Sequence, residues 1–278
     1  MRILVRRTSA LGDVVLATPV VRRLKRENPT ASIVVQTAYP QVFHGNPNVE
    51  LIGNVLGQDG RMVDLDLAYE KRPSMHIVEA YMLEAFKNDR GWAMMDDGSS
   101  KCQELFFDRT PLSAFKGEGY VAVHAAQAGW SNRTLPRDTW KEVLHRLGVA
   151  GLRPILIGTE RDAVPGFDCP SFFVPDIHAQ ARLIQSCVCF VGSDSALLHV
   201  AGCTDTPIVG VFTCAKPEYR LPFRDACVGV VPPGLDCLGC LERQPAPATT
   251  ESCERGDIAC VREVRATDIV DAALKLIV

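Results

Sequence analysis

Apolar positions along the chain come in blocks that switch between the period of a strand and the period of a helix. Ile3, Leu4 and Val5 form a short apolar run, Thr8 to Asp13 a turn, and residues 14–26 carry Val14, Leu16, Ala17, Val20, Val21 and Leu24 at helical spacing until Asn28 and Pro29 stop the pattern. Residues 32–35 then return to strand character. Strand, loop, helix, strand is a βαβ unit, which implies a parallel sheet with a right-handed crossover. The pattern also predicts strands over 49–55 and 64–68 and a helix over 76–86.

Between Asp89 and Gly119 the periodicity fades, with Pro111, Gly117 and Gly119 as breakers, and the lobe boundary is placed there, dividing the chain into 1–115 and 116–278. A second alternation follows: strand 120–124, helix 137–147, strand 154–157, helix 177–186, strand 188–191, helix 195–202 and strand 207–212. Strands alternating with helices in two halves predict an α/β protein of two Rossmann-like lobes. The last helix is a candidate to pack back on the first lobe, and residues 244–250 read as a loop.

Composition narrows the classes. The 278 residues amount to about two domains at roughly 150 residues each. With 47% hydrophobic and 23% charged residues and a formal charge of -3, the chain is an ordinary globular one with no whole-molecule attraction to nucleic acid or anionic lipid. No apolar stretch approaches the roughly 18 residues of a membrane helix, and Arg6 follows the first apolar run too soon to leave a signal-peptide core. A cytoplasmic location is therefore expected. There, eleven cysteines, an odd number, read as reduced thiols, with Cys187, Cys189 and Cys203 serving as small hydrophobes.

In open α/β sheets, ligands bind beyond the carboxyl ends of the strands. Three such places stand out. At Ser9 to Asp13, Gly12 permits an unusual backbone, and Asp13 either caps a helix or faces a cleft as a general base. At Gly192 to His199 a strand runs through Ser193, Asp194 and Ser195 into Ala196, Leu197 and a helix, aiming backbone N–H groups at one spot suited to phosphate. Ser195 and His199 share a helix face; the alternative there is capping by Asp194 with a satisfied core histidine. The third is the long connection from His124 to Pro136, where Arg133 is either a phosphate partner or a solvated charge.

Taken together, Ile3-Leu4-Val5 through Leu11-Gly12-Asp13-Val14-Val15 to Pro19, with Gly45-Asn46-Pro47, resemble the opening of glycosyltransferase family 9, the ADP-heptose:lipopolysaccharide heptosyltransferases. Gly192-Ser193-Asp194-Ser195-Ala196-Leu197-Leu198-His199, followed by Pro207-Ile208-Val209-Gly210-Val211-Phe212, resembles that family's donor signature. The resemblance implies a GT-B fold, two Rossmann-like lobes with parallel sheets facing a central cleft, acceptor lobe first and nucleotide-sugar lobe second. It further implies inverting transfer of a sugar, a heptose from ADP-heptose, onto a saccharide or lipid-linked acceptor, with no cofactor in the chemistry. Asp13 matches the family's catalytic aspartate, with Ser9, Gly12 and His124 at the acceptor side of the cleft. Arg133 stands where the family has a phosphate-binding lysine, and Asp194, Ser195 and Ala196 match the diphosphate turn, with Leu197 and His199 beside it. The chain departs from the family at Ala125-Ala126 and at Thr213-Cys214-Ala215, and is shortened within residues 56–119.

Such a reaction needs donors for the charge that develops on the leaving diphosphate, and a carboxylate to take the proton of the incoming hydroxyl. The run Arg22, Arg23, Lys25, Arg26 is either a peripheral contact to the inner membrane or a solvated face. Cys237, Cys240, Cys253 and Cys260 begin with a C-x2-C knuckle, and read either as a structural zinc or iron site or as a loop of free thiols. Asp64-Leu65-Asp66 has the form of a metal motif from another glycosyltransferase fold, but strand alternation puts both carboxylates on one face as a structural pair. Rival functions are a sugar-nucleotide epimerase and a non-catalytic binding protein.

Overall fold

The computed structural model describes residues 1–53, 60–87, 101–115, 117–127, 129–243 and 253–277. The first strand, β1 (Arg2–Arg6), leads into two helices rather than the single one predicted: α1 (Leu11–Leu16) and α2 (Thr18–Glu27). Pro19 has no N–H to give to the preceding turn, and the Thr18 hydroxyl donates to the Val15 carbonyl at 2.7 Å, so the helix restarts at Ala17. β2 (Ser32–Gln36) then pairs in parallel with β1, Ile3 opposite Ile33 and Val5 opposite Val35. β3 (Leu51–Ile52) is only the middle of the predicted strand, whose end at 54–55 lies outside the described residues.

β4 (Arg61–Asp64) ends where the fourth strand was expected to begin. The Asp64 carboxylate accepts the Asp66 amide at 3.0 Å and Leu67 takes a φ of 58°, so the chain turns away after Asp64. The two aspartates therefore do not share a strand face. Asp64 pairs with Arg6, while Asp66 accepts the Thr8 amide and hydroxyl, each at 2.9 Å. α3 (Ile77–Ala85) falls within the predicted span, started by the His76 ring accepting the Val78 amide at 3.1 Å.

The second sheet follows the predicted alternation: β5 (Tyr120–His124), α4 (Arg137–Val149), β6 (Arg153–Gly158), β7 (Ser171–Phe173), α5 (Ile177–Gln185), β8 (Cys189–Ser193), α6 (Ala196–Ala201), β9 (Ile208–Val211) and β10 (Cys227–Val230). The edge strands β7 and β10 carry too few apolar positions to announce themselves. After α7 (Ala259–Arg262), α8 (Ala266–Ile277) buries Ile269, Val270 and Ala273 with Trp140, Leu144, Val191 and Val209. The last helix thus covers the second sheet instead of packing back on the first lobe, because its apolar face matches the groove beside α4.

Strand order is β3-β2-β1-β4 in one sheet and β10-β9-β8-β5-β6-β7 in the other, all pairs parallel. Each sheet reverses its direction of growth once, at β1/β4 and at β5/β8, and a crevice opens beyond the strand ends at such a point. One apolar cluster runs through both lobes, joining Val14, Val15 and Val20 to Leu105, Leu197, Val200 and Phe212. Residues 102–109 stitch the same seam: the Glu104 amide donates to Thr18 Oγ1 at 2.9 Å and Gln103 Nε2 to the His199 carbonyl at 3.3 Å.

Much of the basic run in α2 is engaged by the protein itself. Arg22 pairs with Glu104, Arg23 with Glu27 at 2.6 Å, and Lys25 donates to the Ala31 carbonyl at 2.8 Å, which leaves less charge for a membrane surface than the sequence suggests. Among the described residues no helix is long and apolar enough to cross a membrane.

His76 ties the lobes together, since its Nδ1 is spent on Val78 and its Nε2 donates to the Leu221 carbonyl at 2.9 Å. Burial pushes this imidazole down to about 4 from the usual 6.5, so it is neutral in the folded protein and binds protons more readily when unfolded. The stability linked to it is complete above the unfolded value and is lost as pH falls from 6.5 towards 4. Denaturant titrations at stepped pH should show that loss, and His76→Asn, which keeps a cap acceptor, should show a shallower slope over the same window.

Candidate active site

The turn after β1 is built around a buried cation. Arg7 pairs with Asp13, lies 3.3 Å from Asp66 and 3.9 Å from Glu70, and places its guanidinium 5.6 Å from the Tyr69 ring and 5.8 Å from the Tyr81 ring. Asp13 does not cap α1. Ala10 holds that position with a φ of 59° and no side-chain cap bond, a backbone state that costs an alanine on the order of 1–3 kcal/mol. The unusual backbone expected at Gly12 is thus at Ala10. Oδ2 of Asp13 receives both Arg7 and the Tyr69 hydroxyl, the latter at 3.3 Å. Oδ1 takes no hydrogen bond among the described residues. One carboxylate oxygen is thus fixed, and the other is without a hydrogen bond among the described residues.

Gly12 is needed for space. A Cβ there would lie 2.7 Å from His199 Cδ2 and 3.2 Å from Ala196 Cα, so α1 of the first lobe rests directly on α6 of the second. This contact brings the helix that carries Asp13 against the helix that follows the turn after β8. At that turn, Ser195 occupies the N-cap of α6 without a side-chain cap bond, and the first amides of the helix, at Ala196 and Leu197, meet no acceptor among the described residues. Asp194 does not cap either: its carboxylate takes Arg133 Nη2 at 2.9 Å and stands 4.0 Å from Arg220 Nε. Burial works to raise the Asp194 carboxyl, but the Arg133 and Arg220 guanidinium groups outweigh it and hold it below its ordinary range.

His199 is buried, and burial lowers its pKa to about 4 against the pull of Asp194. It is neutral, and its Nδ1 has no hydrogen-bond partner, so it is not a satisfied core histidine. Ser195 and His199 do not meet, because the Ser195 hydroxyl turns to His124 Nδ1 at 2.9 Å. His124 belongs with this turn: its Nε2 lies 3.5 Å from Asp162 Oδ2. Burial would raise Asp162, but His124 and the amides of Thr159 and Gln127 hold its carboxyl well below the usual range. Gly158, with a φ of 121°, makes room for the pair, since a Cβ would come 2.6 Å from Asp162 and 2.9 Å from His124.

Arg133 is no solvated surface charge. Its Nη2 donates to the Asp194 carbonyl at 2.7 Å as well as to its carboxylate, and the guanidinium lies 4.9 Å from the Trp130 ring. Ser9 is exposed. Sequence reasoning missed Arg7, Tyr69, Asp162, Arg220 and Glu242. Arg7 had a signal, a charge at the end of an apolar strand, whereas Arg220 comes close only through the three-dimensional fold.

Cys237, Cys240, Cys253 and Cys260 line one tight pocket, and Cys214 and Thr213 form part of its wall. The Ile258 amide donates to Cys253 Sγ at 3.4 Å. Slight burial opposes ionisation of this thiol, but that amide and those of Arg255, Asp257 and Gly256 lower its pKa. Burial and the neighbouring thiols push Cys260 up to about 11. Thiols crowded in this way repel one another as anions, and a cation relieves that. Yet among the described residues no three His, Cys, Asp or Glu side chains stand close enough to hold a metal, so the thiols are gathered without forming a closed ligand set.

Two parallel-sheet lobes meeting at their switch points, with a carboxylate on one side and an open amide turn on the other, define a two-lobed GT-B type of fold. The chain belongs to glycosyltransferase family 9 (heptosyltransferase), which matches residues 55–248 and therefore includes the turn at 192–199. No curated protein matches the chain. Among solved structures it is similar to a glycosyl transferase family 9 protein from Veillonella parvula DSM 2008, at 14% identity and a TM-score of 0.74 over 99% of this chain and 97% of that one. It is also similar to the iron-containing dodecameric glycosyltransferase TibC from enterotoxigenic E. coli H10407, at 14% identity and a TM-score of 0.77 over 99% and 75%, a protein also solved with ADP-D-β-D-heptose. The E. coli ADP-heptose LPS heptosyltransferase II aligns at 15% identity and a TM-score of 0.67 over 100% and 98%.

Gly12→Ala should force α1 and α6 apart. The expected destabilisation is about 1–3 kcal/mol, read as a fall of several degrees in the unfolding temperature.

Proposed function

We propose that the protein is an inverting glycosyltransferase that moves a sugar, a heptose from ADP-heptose, onto a saccharide or lipopolysaccharide-type acceptor, with Asp13 as general base. The observation that carries this reading is the Gly12–His199 contact, which packs the helix bearing Asp13, with one carboxylate oxygen unbonded among the described residues, directly on the uncapped helix that follows β8. The amides of Ala196 and Leu197 suit the leaving diphosphate, where negative charge grows as the anomeric bond breaks. Arg133 holds Asp194, and with it the shape of that turn. Asp13 Oδ1 takes the acceptor's proton while Arg7 and Tyr69 keep Oδ2 in place. Relatives support the donor: TibC was solved with ADP-D-β-D-heptose, and heptosyltransferase II is named for ADP-heptose.

Cys237, Cys240, Cys253 and Cys260 are proposed to draw in from their open arrangement around a structural zinc or iron, which would take no part in transfer. Their shared pocket and the amides around Cys253 support this, and TibC is described as iron-containing. A cytoplasmic location goes with eleven cysteines that are all unpaired.

Asp13→Asn is expected to lower sugar transfer by about 10²–10⁴-fold while ADP affinity stays within about twofold; a variant that keeps most of its turnover removes Asp13 from the chemistry. An epimerase would instead alter ADP-heptose with no acceptor present. Metal analysis of protein purified without chelators should give about one equivalent per chain, lost in a Cys240→Ser/Cys253→Ser variant; a content near zero overturns the metal site.

A further inference from the structure

Arg220 follows the short turn Pro217–Tyr219 after β9 and lies at the junction of the lobes. Its side chain is 10% exposed, and its Nε is buried with no hydrogen-bond partner. The nearest carboxylate oxygens, Asp194 Oδ2 at 4.0 Å and Glu242 Oε1 at 3.8 Å, stabilise its charge but are too far to accept a hydrogen bond. Glu242 Oε2 is itself buried without a partner. Arg7, Arg133 and Arg224 also bury an Nε without a partner, but each donates through another guanidinium nitrogen, Arg133 to Asp194 at 2.9 Å, whereas the Arg220 side chain donates to no acceptor among the described residues. Arg220 has unspent donors, and a desolvated cation with unmet donors is costly until an anion arrives.

Its position says which anion. The guanidinium is 5.6 Å from the Tyr69 ring, whose hydroxyl reaches Asp13, and its other neighbour is Asp194 of the proposed diphosphate turn. Arg220 thus lies between the base and the turn. We infer that Arg220 is a catalytic cation for the donor, binding the diphosphate beside the sugar; this rests on the donor reading given above. As the bond from the anomeric carbon to the diphosphate oxygen breaks, its electron pair passes to that oxygen, the acceptor oxygen forms the new bond, and the acceptor proton goes to Asp13. Arg220 meets the charge that grows on the leaving group.

The test is calorimetric titration of ADP and AMP into wild type, Arg220→Met and Arg220→Gln, with thermal unfolding to identify folded variants and transfer assays at saturating donor. Loss of the cation should weaken ADP by roughly 10- to 100-fold, change AMP by less than about threefold, and lower kcat further. A purely structural role would weaken both nucleotides together. Wild-type binding of ADP with unchanged ADP affinity in either folded variant overturns the assignment of Arg220 and leaves the donor reading standing. Failure of the wild type to bind ADP overturns the donor reading and this inference with it.

Discussion

The two lobes approach as closely as they do because Gly12 has no side chain. At 2.7 Å from His199 Cδ2, a Cβ would occupy the volume where α1 and α6 touch, and those helices carry Asp13 and follow the turn proposed to take the donor. Each begins beyond a switch point of its own sheet, so the topology aims both at one place and the absent Cβ lets them meet. The apolar cluster through both lobes then fixes that approach, with Leu105 and residues 102–109 closing the seam.

Around this contact the protein tolerates a high density of buried charge by pairing it. Arg7 offsets Asp13, Asp66 and Glu70, and Arg133 offsets Asp194. The neutral His199 adds no charge of its own. Such pairs add little net stability compared with apolar packing, but they hold each carboxylate in one orientation, as the proposed role of Asp13 requires. Arg220 differs in being electrostatically compensated without being hydrogen-bonded.

The strands and helices of the second lobe were legible because their apolar runs are long and bounded by glycine or proline, as at β5, β8 and β9. The first lobe was harder to read. Pro19 broke a helix whose periodicity continued through it, and the Asp64 carboxylate closed a strand early by capping Asp66. At the site, Asp13 and the turn at 192–199 stood in recognisable local patterns. The bonds that orient them did not: Tyr69 reaches Asp13 across 56 positions and His124 reaches Ser195 across 71, distances at which a single sequence carries no signal. Likewise, the pattern suggested that Gly12 serves the backbone angle, whereas it serves space and Ala10 carries the strain.

The most direct measurement is a crystal structure with an unreactive ADP-heptose analogue. The account predicts diphosphate oxygens within about 3 Å of the Ala196 and Leu197 amides, with the anomeric carbon turned towards Asp13 Oδ1. A nucleotide held elsewhere, or a sugar facing away from Asp13 across a closed crevice, would contradict it.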